Sequence, residues 1–446
     1  MSSEIVTVIG GGLAGCEAAW QLARLGIKVR LYEMRPQKST GAHRTGNLAE
    51  LVCSNSFKSN LPHTASGELK REMRLVGSLI LDAAGQAAIP AGEALAVDRE
   101  VFSGAVQSAL QASGVEIQRE ERSRIPDSGV VIIATGPLTS DLLAEDIGRV
   151  TGSGRLFFYD AVAPIVETES IDFDHCWEGS RYDKGDGAYL NCPLSEELYF
   201  QIVNAILQAD TVALHSFEDT KFFEGCLPLE EIARRGVLTL AHGPWKPVGL
   251  NDPRTGERAF AVLQLRRENA AGTCYSLVAC QTRLTWPAQR EVFRMVPALA
   301  NASFLRLGVV HRNTYLNSPQ LLDSTLQLKS RPGLFFAGQI VGVEGYLESA
   351  AAGMVAALNA AGVVRCDDRL FQPPAESMLG ALMSYVGQGS ESGFAPMNAN
   401  FGILPPLEGK KRRKQERHAA QCDRAFESFA NYWSQFSQMA VEHGLA

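Results

Sequence analysis

A glycine-rich turn between an apolar run and a helical stretch is the feature that most constrains this chain. Residues 4–9 are apolar, GGGLAG follows at 10–15, and a second apolar run at 27–33 ends in Glu33. In a G-x-G-x-x-G turn the first glycine permits the tight turn and the second lets a pyrophosphate approach the backbone. The third lets the helix pack on the strand. The pattern therefore predicts a β–α–β unit that binds a dinucleotide.

The predicted nucleotide-binding residues follow from this unit. Backbone N–H groups at the start of the helix would face the phosphates, and Glu33 would accept hydrogen bonds from ribose hydroxyls. Arg35 follows Glu33 closely and is included in the predicted site. The residues at the turn are Gly10, Gly11, Gly12, Leu13, Ala14 and Gly15. The alternative is a glycine-rich turn in an α/β fold without a ligand, and this unit alone leaves the choice between NAD and FAD open.

Two later segments favour FAD. A continuous apolar run at 130–137 ends in ATGP, as expected of a parallel strand buried on both faces. Residues 334–360 contain a further apolar run, a glycine-rich turn and a stretch of small residues at helical spacing. A fingerprint at the N-terminus that is completed by a later strand and helix resembles the FAD-binding fold of glutathione reductase. This resemblance places Gly338 and Gln339 near the flavin ring and the ribityl phosphate.

The region between these segments has a different sequence pattern. Aromatic residues, turns and short alternating runs fill 150–300, which predicts an inserted antiparallel or mixed α+β domain. We therefore expect an α/β protein with a Rossmann-type FAD domain, an inserted domain and a helical C-terminal region. The predicted boundaries are 1–137 and 306–365 for the two parts of the FAD domain, 138–305 for the insertion and 366–446 for the C-terminal region.

Composition excludes several classes of protein. Lys and Arg total 42 against 49 Asp and Glu, a net charge of −7, which argues against nucleic-acid binding over most of the surface but not against one basic patch. The nine cysteines form no C-x-x-C pair and the chain starts without a secretory pattern, so we expect a reduced, cytoplasmic protein. We expect no metal site and no membrane span, because the apolar stretch at 348–364 is short and rich in small residues.

Longer motifs resemble one family, the folate- and FAD-dependent tRNA (uracil-5-)-methyltransferases of bacteria, known as TrmFO. The motifs are EMRP at 33–36, HRTGNLAELVCSNSFKS at 43–59, GDGAYLNCPL at 185–194, FEGCLPLEE at 223–231, HRNTYLNSP at 311–319, GVEGYLESAAAG at 342–353 and NANFGILPPL at 398–407. Together they extend over nearly the whole chain.

The resemblance implies methylation of the T-loop uridine at tRNA position 54. The carbon would come from 5,10-methylenetetrahydrofolate, the electrons from reduced FAD, and NAD(P)H would be the upstream reductant. tRNA and folate are then the partners, with no obligate protein partner. The alternatives are a GidA/MnmG-type enzyme acting on the wobble uridine, a flavoprotein whose role is RNA binding, and a plain NAD(P)H oxidase.

Two cysteines lie in family-like motifs, Cys53 in LVCSNSF and Cys226 in FEGCLP. Uracil C5 becomes nucleophilic when a thiolate adds to C6, and the thiolate is the attacking form of cysteine. By resemblance Cys226 is the favoured nucleophile, and Cys53 lies near the flavin. Which of the two attacks stays open. Buried structural roles are expected for Cys16, Cys274, Cys280 and Cys366.

Other residues have less specific assignments. Tyr346 is predicted to stack on the pterin of the folate, with a core tyrosine as the alternative. Glu344 is predicted either to bond the pterin or to cap the following helix. Asn191, Cys192 and Pro193 are placed near folate or flavin.

A dense basic run is the predicted tRNA contact, because phosphates attract Lys and Arg without regard to sequence. A solvated surface is the alternative. The run comprises Lys410, Lys411, Arg412, Arg413 and Lys414, and the residues that would extend it are Lys70, Arg71 and Arg74.

Overall fold

The structure is a computed structural model, and it describes residues 5–152, 156–161, 163–183, 189–212, 227–308, 310–389, 394–409 and 413–442.

A five-stranded parallel sheet forms the centre of the first unit. Its strands lie in the order β16–β7–β1–β2–β6, and every neighbouring pair is parallel. The order places β16, which begins at Leu334, directly beside β7, which ends at Ile133. The strands are β1 (Val6–Ile9), β2 (Val29–Tyr32), β6 (Glu116–Gln118), β7 (Val131–Ile133) and β16 (Leu334–Phe336).

Helices surround this sheet and share one hydrophobic core with it. They are α1 (Leu13–Arg24), α2 (Ala65–Val76), α3 (Leu79–Gln86), α4 (Arg99–Ala112), α5 (Asp141–Thr151), α10 (Ser318–Leu321), α11 (Tyr346–Arg365), α12 (Met378–Gln388) and α13 (Lys414–Glu442). A small antiparallel sheet lies beside them, in the order β3–β5–β4. Its strands are β3 (Ser56–Ser59), β4 (Ala88–Ile89) and β5 (Ala94–Val97).

The second unit is an antiparallel sheet with its own hydrophobic core, whose buried residues run from Ala163 to Ala302. The strand order is β10–β11–β12–β13–β9–β14. The strands are β9 (Ile165–Glu167), β10 (Trp177–Glu178), β11 (Tyr189–Leu194), β12 (Ala261–Arg267), β13 (Cys274–Leu277) and β14 (Phe304–Arg306). The helices are α6 (Glu196–Gln208), α7 (Leu229–Arg234), α8 (Thr239–His242) and α9 (Trp286–Arg294).

The chain passes between the two units on an antiparallel pair of strands, β8 (Leu156–Ala161) and β15 (Val310–Tyr315). Single 3-10 turns complete the described structure at Thr168–Ser170, Phe173–His175, Arg181–Asp183, Pro297–Leu299 and Gln339–Val341.

Helix α11 explains the run of small residues in the sequence. It is buried on nearly every face, and a Cβ on Gly353 would overlap the backbone of Ala14 in α1. Small side chains therefore let α1 and α11 approach closely. Among the described helices, α11 alone is long and apolar enough to cross a membrane, and 83% of its most apolar window is buried inside the protein, as in a core helix.

Two features differ from the sequence-based expectation. In the sequence, the apolar period of GELKREMRLVGSLILDAA at 67–84 predicts one helix, but Gly77 adopts φ 90°, and Ser78 caps α3 by accepting from the Leu81 N–H. Leu143 and Ile147 of α5 pack in the first core, although the insertion was predicted to begin at residue 138. Asp146 of α5 also ties the helix to the first unit, because its Oδ2 accepts from the Ile125 N–H (2.8 Å).

Candidate active site

The glycine-rich turn has the geometry of a phosphate-binding turn. Gly10 has φ 109°, and a Cβ there would lie 2.5 Å from the Ala134 carbonyl oxygen. A Cβ on Gly15 would overlap the Gly10 carbonyl oxygen. At Gly12, by contrast, a Cβ would meet nothing within 4 Å, and no side chain caps the start of α1 there. The open face at Gly12 and the uncapped helix N-terminus are what a pyrophosphate requires.

Glu33 lies beside this turn and is held in one orientation. It accepts from the Gly11 N–H (3.0 Å), from the Arg35 N–H (3.0 Å) and from Arg35 Nε (2.9 Å). Burial favours the neutral acid, but these bonds from Arg35 and Gly11 outweigh burial and keep the pKa of Glu33 below its usual value. Glu33 is therefore an ionised acceptor at neutral pH, as a ribose diol requires. The predicted ribose contact itself stays a prediction.

Arg35 is itself buried and balanced by a second acid. Its Nη1 donates to Glu50 Oε2 (2.8 Å), and its side chain is 2% exposed. Arg35 therefore fixes Glu33 rather than facing a ligand freely.

A groove runs along the turn and the carboxyl ends of β1, β2 and β7. Polar groups line it opposite the glycines, and the guanidinium of Arg122 lies 4.7 Å from the centre of the Tyr32 ring. The other polar lining residues are Thr40, His43, Glu120, Glu121, Thr135, Thr139 and Ser140. Ligands of open α/β sheets bind outside the carboxyl ends of the strands, so this groove is the candidate dinucleotide site.

A loop of residues 48–55, which we name the Cys53 loop, joins this turn to the start of α11. At one end the Ala49 N–H donates to the Gly11 carbonyl (2.9 Å). At the other end the N–H groups of Cys53 and Ser54 donate to the Tyr346 hydroxyl oxygen (2.7 and 3.1 Å). The structure thus brings the predicted residues Cys53 and Tyr346 together, on the same side of the molecule as the glycine-rich turn.

Two arginines hold the Cys53 loop by its carbonyl groups. Arg99 of α4 donates to the carbonyls of Leu51 and Cys53. Arg306 of β14, in the second unit, donates to the carbonyls of Val52 (2.9 Å) and Cys53 (3.0 Å). Neither arginine stands out in the sequence, because nothing there links Arg306 to a loop some 250 positions earlier.

One buried acid balances the two arginines. Glu268 is 3% exposed and accepts from Arg99 Nε (2.7 Å). Burial opposes ionisation, but Arg99 and Arg266 hold the pKa of Glu268 below its usual value. For Arg306, burial and the nearby Arg99 lower the pKa, although arginine stays protonated at neutral pH. Arg99, Arg306 and Glu268 therefore fix the backbone of the loop that carries Cys53.

The residues at the start of α11 make local contacts. Gly338 has φ 81°, and a Cβ there would lie 2.8 Å from the Ala14 Cβ. Gln339 Nε2 donates to Glu344 Oε2 (2.6 Å). The Tyr346 ring lies 5.9 Å from Phe57 between centroids, and its burial raises the pKa of the hydroxyl. Stacking of Tyr346 on a pterin stays a prediction, and so does a ligand contact of Glu344.

Lys58 and Glu348 form a further pair that the sequence did not single out. Lys58 Nζ donates to Glu348 Oε1 (2.7 Å), and the Glu348 side chain is completely buried. Its other oxygen, Oε2, has no hydrogen-bond partner among the described residues. This oxygen lies so close to Gly345 that a Cβ there would overlap it, so the pair shapes the entrance of α11.

The remaining predicted residues have separate surroundings. Cys226 lies outside the described residues, so its role as nucleophile stays a prediction. Asn191 and Cys192 are buried in the second unit, where Asn191 Nδ2 donates to the Trp177 and Gly179 carbonyls. These contacts are internal to the antiparallel sheet, and nothing about them indicates a cofactor.

The predicted basic patch needs correction. Lys410, Lys411 and Arg412 lie outside the described residues, and Arg413 and Lys414 are exposed at the start of α13. The extension by Lys70 is wrong, because Lys70 is completely buried and donates to the Ser59 carbonyl (2.7 Å). Arg71 is paired with Glu68 and packs over the Phe426 ring, and Arg74 bonds Asn60.

The cysteines of the described part are all free thiols. Cys16 and Cys280 are buried, as expected, but Cys366 is exposed at the end of α11, so a buried role for it is wrong. Within the described ranges no group of three or more His, Cys, Asp or Glu side chains is arranged to hold a metal ion.

The parallel sheet, the glycine-rich turn and the acid at the end of β2 define a dinucleotide-binding α/β protein with an inserted antiparallel unit. The family profile of glucose inhibited division protein A matches residues 5–367. Solved structures of GidA from Aquifex aeolicus have TM-scores of 0.73 and 0.70 with this chain at 18% identity. The match includes all of this chain and 76% and 74%, respectively, of the two GidA chains. It shows that the fold is shared.

Several curated proteins are much more similar. Methylenetetrahydrofolate--tRNA-(uracil-5-)-methyltransferase TrmFO of Ligilactobacillus salivarius is 53% identical over 96% of this chain and 98% of its own. The proteins of that name from Desulforudis audaxviator and Halalkalibacterium halodurans are 55% and 52% identical, over 95% and 97% of this chain and 97% and 99% of their own. The chain belongs to the TrmFO family, within the wider GidA family.

Proposed function

We propose that this protein methylates C5 of the T-loop uridine at position 54 of tRNA, with 5,10-methylenetetrahydrofolate as the carbon donor. The observation that carries the proposal is identity of 52–55% with TrmFO proteins along almost the whole of both chains. The proposed location is the cytoplasm.

FAD is the proposed cofactor. The open face at Gly12, the uncapped start of α1 and the ionised Glu33 fit a dinucleotide, and Gly338 stands against Ala14 where the second part of the fold joins the turn. Gly10–Gly15 would hold the pyrophosphate and Glu33 would bind a ribose. The residues after Gly338 would lie beside the flavin ring. When bound, FAD supplies the electrons that convert the transferred methylene into a methyl group. NAD(P)H is the proposed source of those electrons.

The chain's own contribution begins with a thiolate. A cysteine thiolate adds to uracil C6, which gives C5 the enolate character needed to attack the folate-derived carbon. Loss of the C5 proton then breaks the bond between that carbon and the folate nitrogen, so that tetrahydrofolate leaves as the amine and an exocyclic methylene stays on C5. A hydride equivalent, whose electrons bound FAD would supply, adds to this methylene as the thiolate leaves C6, which gives the methyl group and restores the ring. Cys226 is the favoured nucleophile and Cys53 is the proposed group beside the flavin. The hydrogen bonds of Arg99 and Arg306 to the Cys53 carbonyl support this role, because they fix the loop beside the glycine-rich turn.

A transfer assay tests the proposed reaction. Unmodified tRNA transcript is incubated with the purified flavoprotein, NADPH and methylenetetrahydrofolate labelled in its methylene carbon, and the nucleosides are analysed by mass spectrometry. Labelled 5-methyluridine at position 54 is the expected result. NADPH oxidation without label in RNA would contradict the proposal, and a modified wobble uridine would favour the GidA-type alternative.

A second experiment decides between the cysteines. A transcript with 5-fluorouridine at position 54 would trap the attacking cysteine, because fluorine at C5 cannot leave as a proton. We expect a covalent protein–RNA band with wild type and with Cys53→Ala, and none with Cys226→Ala. The reverse pattern would assign the attack to Cys53.

A further inference from the structure

A cavity lies at the far end of α1, away from the glycine-rich turn. It is bounded by the C-terminal ends of α1 and α11, the segment that follows α11, and the C-terminal half of α13. Helix α1 has 12 residues and is therefore about 18 Å long, so occupants of this cavity and of the dinucleotide groove do not compete.

One wall of the cavity is apolar and aromatic. Trp433 and Phe436 of α13 lie with ring centroids 6.0 Å apart and planes at 24°, and both are half-buried. Leu25, Val76 and Leu358 continue this wall. Flat apolar molecules bind well against such surfaces, because aromatic faces prefer offset stacking.

Cationic side chains also line the cavity. Arg24, Arg365 and Arg369 line it with one acid, Asp367. Arg369 and Asp367 pair with each other through two short hydrogen bonds (2.9 and 2.6 Å). Three guanidinium groups and one carboxylate thus line the cavity, which gives its described lining an excess of positive charge.

Arg365 carries the strongest indication of a ligand. Its Nη2 donates to the Leu25 carbonyl at the end of α1. Its Nη1 is buried and has no hydrogen-bond partner among the described residues. Burial lowers the pKa of Arg365 while Asp367 opposes that effect, and the guanidinium stays charged at neutral pH. A shielded donor on a charged group is costly without an acceptor. Arg365 as a whole is only partly buried, so a turn of its guanidinium would bring Nη1 to an anion in the cavity.

We propose that this cavity is a second ligand site, and that it binds a small aromatic anion. The apolar wall of Trp433 and Phe436 would hold the ring system, and Arg365 with Arg24 would hold a carboxylate, sulfonate or phosphate. A charge-assisted hydrogen bond to the guanidinium of the partly buried Arg365 is the specific contact.

The probe for this site is naphthalene-2-sulfonate, and its uncharged isostere naphthalene-2-sulfonamide is the matched comparison. Binding is measured by isothermal titration calorimetry on the FAD-loaded protein, so that the dinucleotide groove is filled. We expect one saturable site per chain for the sulfonate and at least ten-fold weaker binding of the sulfonamide. Absence of saturable sulfonate binding, or equal binding of the two compounds, would overturn the proposal.

Two variants locate the site. Arg365→Gln removes the charge and should weaken sulfonate binding at least ten-fold while leaving the sulfonamide unchanged. Ser437→Trp, on the rim of the cavity, should abolish binding of both compounds, and it decides the matter if the Arg365 variant fails to fold. Arg149→Gln is the control, because Arg149 is 65% exposed on α5 and does not line the cavity.

The chain's own last residues are the competing occupant. If the sulfonate binds only after residues 443–446 are removed, those residues fill the cavity and the proposal of a free ligand site is wrong. Equal affinity before and after removal supports it.

Discussion

Two glycines of the nucleotide turn are required because the backbone packs against them, and a third keeps the space for a phosphate open. Gly10 and Gly15 have no room for a Cβ, because carbonyl oxygens of Ala134 and Gly10 occupy that position. Gly12 has room, so its role is to leave the approach of a phosphate unobstructed. The three positions therefore respond differently to the same substitution.

Gly15→Ala should prevent the close approach of α1 to the turn. We expect the purified variant to retain at most one tenth of the wild-type FAD, since a misplaced helix N-terminus loses its phosphate contacts. The ratio of absorbance at the flavin band to that at 280 nm measures the bound cofactor. Gly104→Ala in α4, where a Cβ meets nothing within 4 Å, is the matched control and should keep full occupancy.

Arg306 connects the second unit to the Cys53 loop, and its removal tests that connection. Arg306→Gln loses the charged donors to the Val52 and Cys53 carbonyls, so we expect kcat for methyl transfer to fall at least ten-fold with FAD content unchanged. Arg290→Gln, an exposed position on α9, should behave as wild type. Normal turnover in the Arg306 variant would mean that the loop is positioned without it.

At the scale of the element, α2 is unusual because it buries charged side chains. Glu68, Lys70 and Glu72 are each completely buried. Glu72 accepts from the N–H groups of Met378 and Leu379, and so caps α12 from outside. Burial lowers the pKa of Lys70 to about 7, despite the opposing charge of Glu348. The helix joins its neighbours through polar contacts as well as apolar packing.

Glu68 should make folding stability depend on pH. Burial raises its pKa to about 7 although Arg71 opposes this. Because the pKa of Glu68 is higher in the folded state than in the unfolded state, the folded form keeps this proton to a higher pH. The free energy of unfolding therefore falls as pH rises from about 4.5 to 7. In Glu68→Gln this loss is absent. The free energy of unfolding of the variant relative to wild type should therefore rise by about 2–3 kcal/mol between pH 5 and pH 8.

Urea denaturation at the two pH values measures this difference. Glu427→Gln on the exposed face of α13 is the control, and it should show the same pH dependence as wild type. A Glu68 variant that also follows wild type would show that Glu68 is ionised at little cost in the folded protein.

The regular elements near the turn could be predicted from the sequence because their signals are local. The glycine spacing predicts α1, and the apolar runs predict β1, β2, β7 and β16. Helix α4 begins after its N-cap Asp98 and ends before Gly114. The break at Gly77 was missed because the apolar period continues across it, whereas the left-handed conformation is set by tertiary packing. A Cβ on Gly77 would lie 2.5 Å from Arg24 Nη1.

The described part of the molecule has two large hydrophobic cores, and arginines from both units hold the Cys53 loop. Cys53 and Tyr346 could be predicted as site residues because each lies in a long motif. Arg99, Arg306 and Glu268 could not, because single charged residues far apart in sequence give no local signal. Lys70 was misplaced for a related reason, since burial of a charged residue depends on partners that are assembled only in the fold.

The net charge of −7 requires that tRNA bind at a local basic surface. Changing Lys410, Lys411, Arg412, Arg413 and Lys414 together to Gln should weaken tRNA binding at least ten-fold at 100 mM salt. It should also reduce the slope of log Kd against log salt by about 2–4, at roughly 0.7–0.9 per lost phosphate contact. Filter binding over a salt series measures both quantities. Arg149→Gln with Arg290→Gln is the control, and an unchanged slope in the five-residue variant would exclude the basic run from tRNA contact.

The position of β16 beside β7 has a consequence for how the protein is made. About 200 residues separate the two strands in the chain, among them the whole second unit. At a synthesis rate of roughly 5–20 residues per second, β1, β2 and β7 wait about 10–40 s on the ribosome before their last neighbour emerges. During this interval β7 presents an unpaired apolar edge, and the surface that α11 will cover is bare. Early FAD binding to the nascent turn, or a chaperone on that edge, would protect the unfinished sheet.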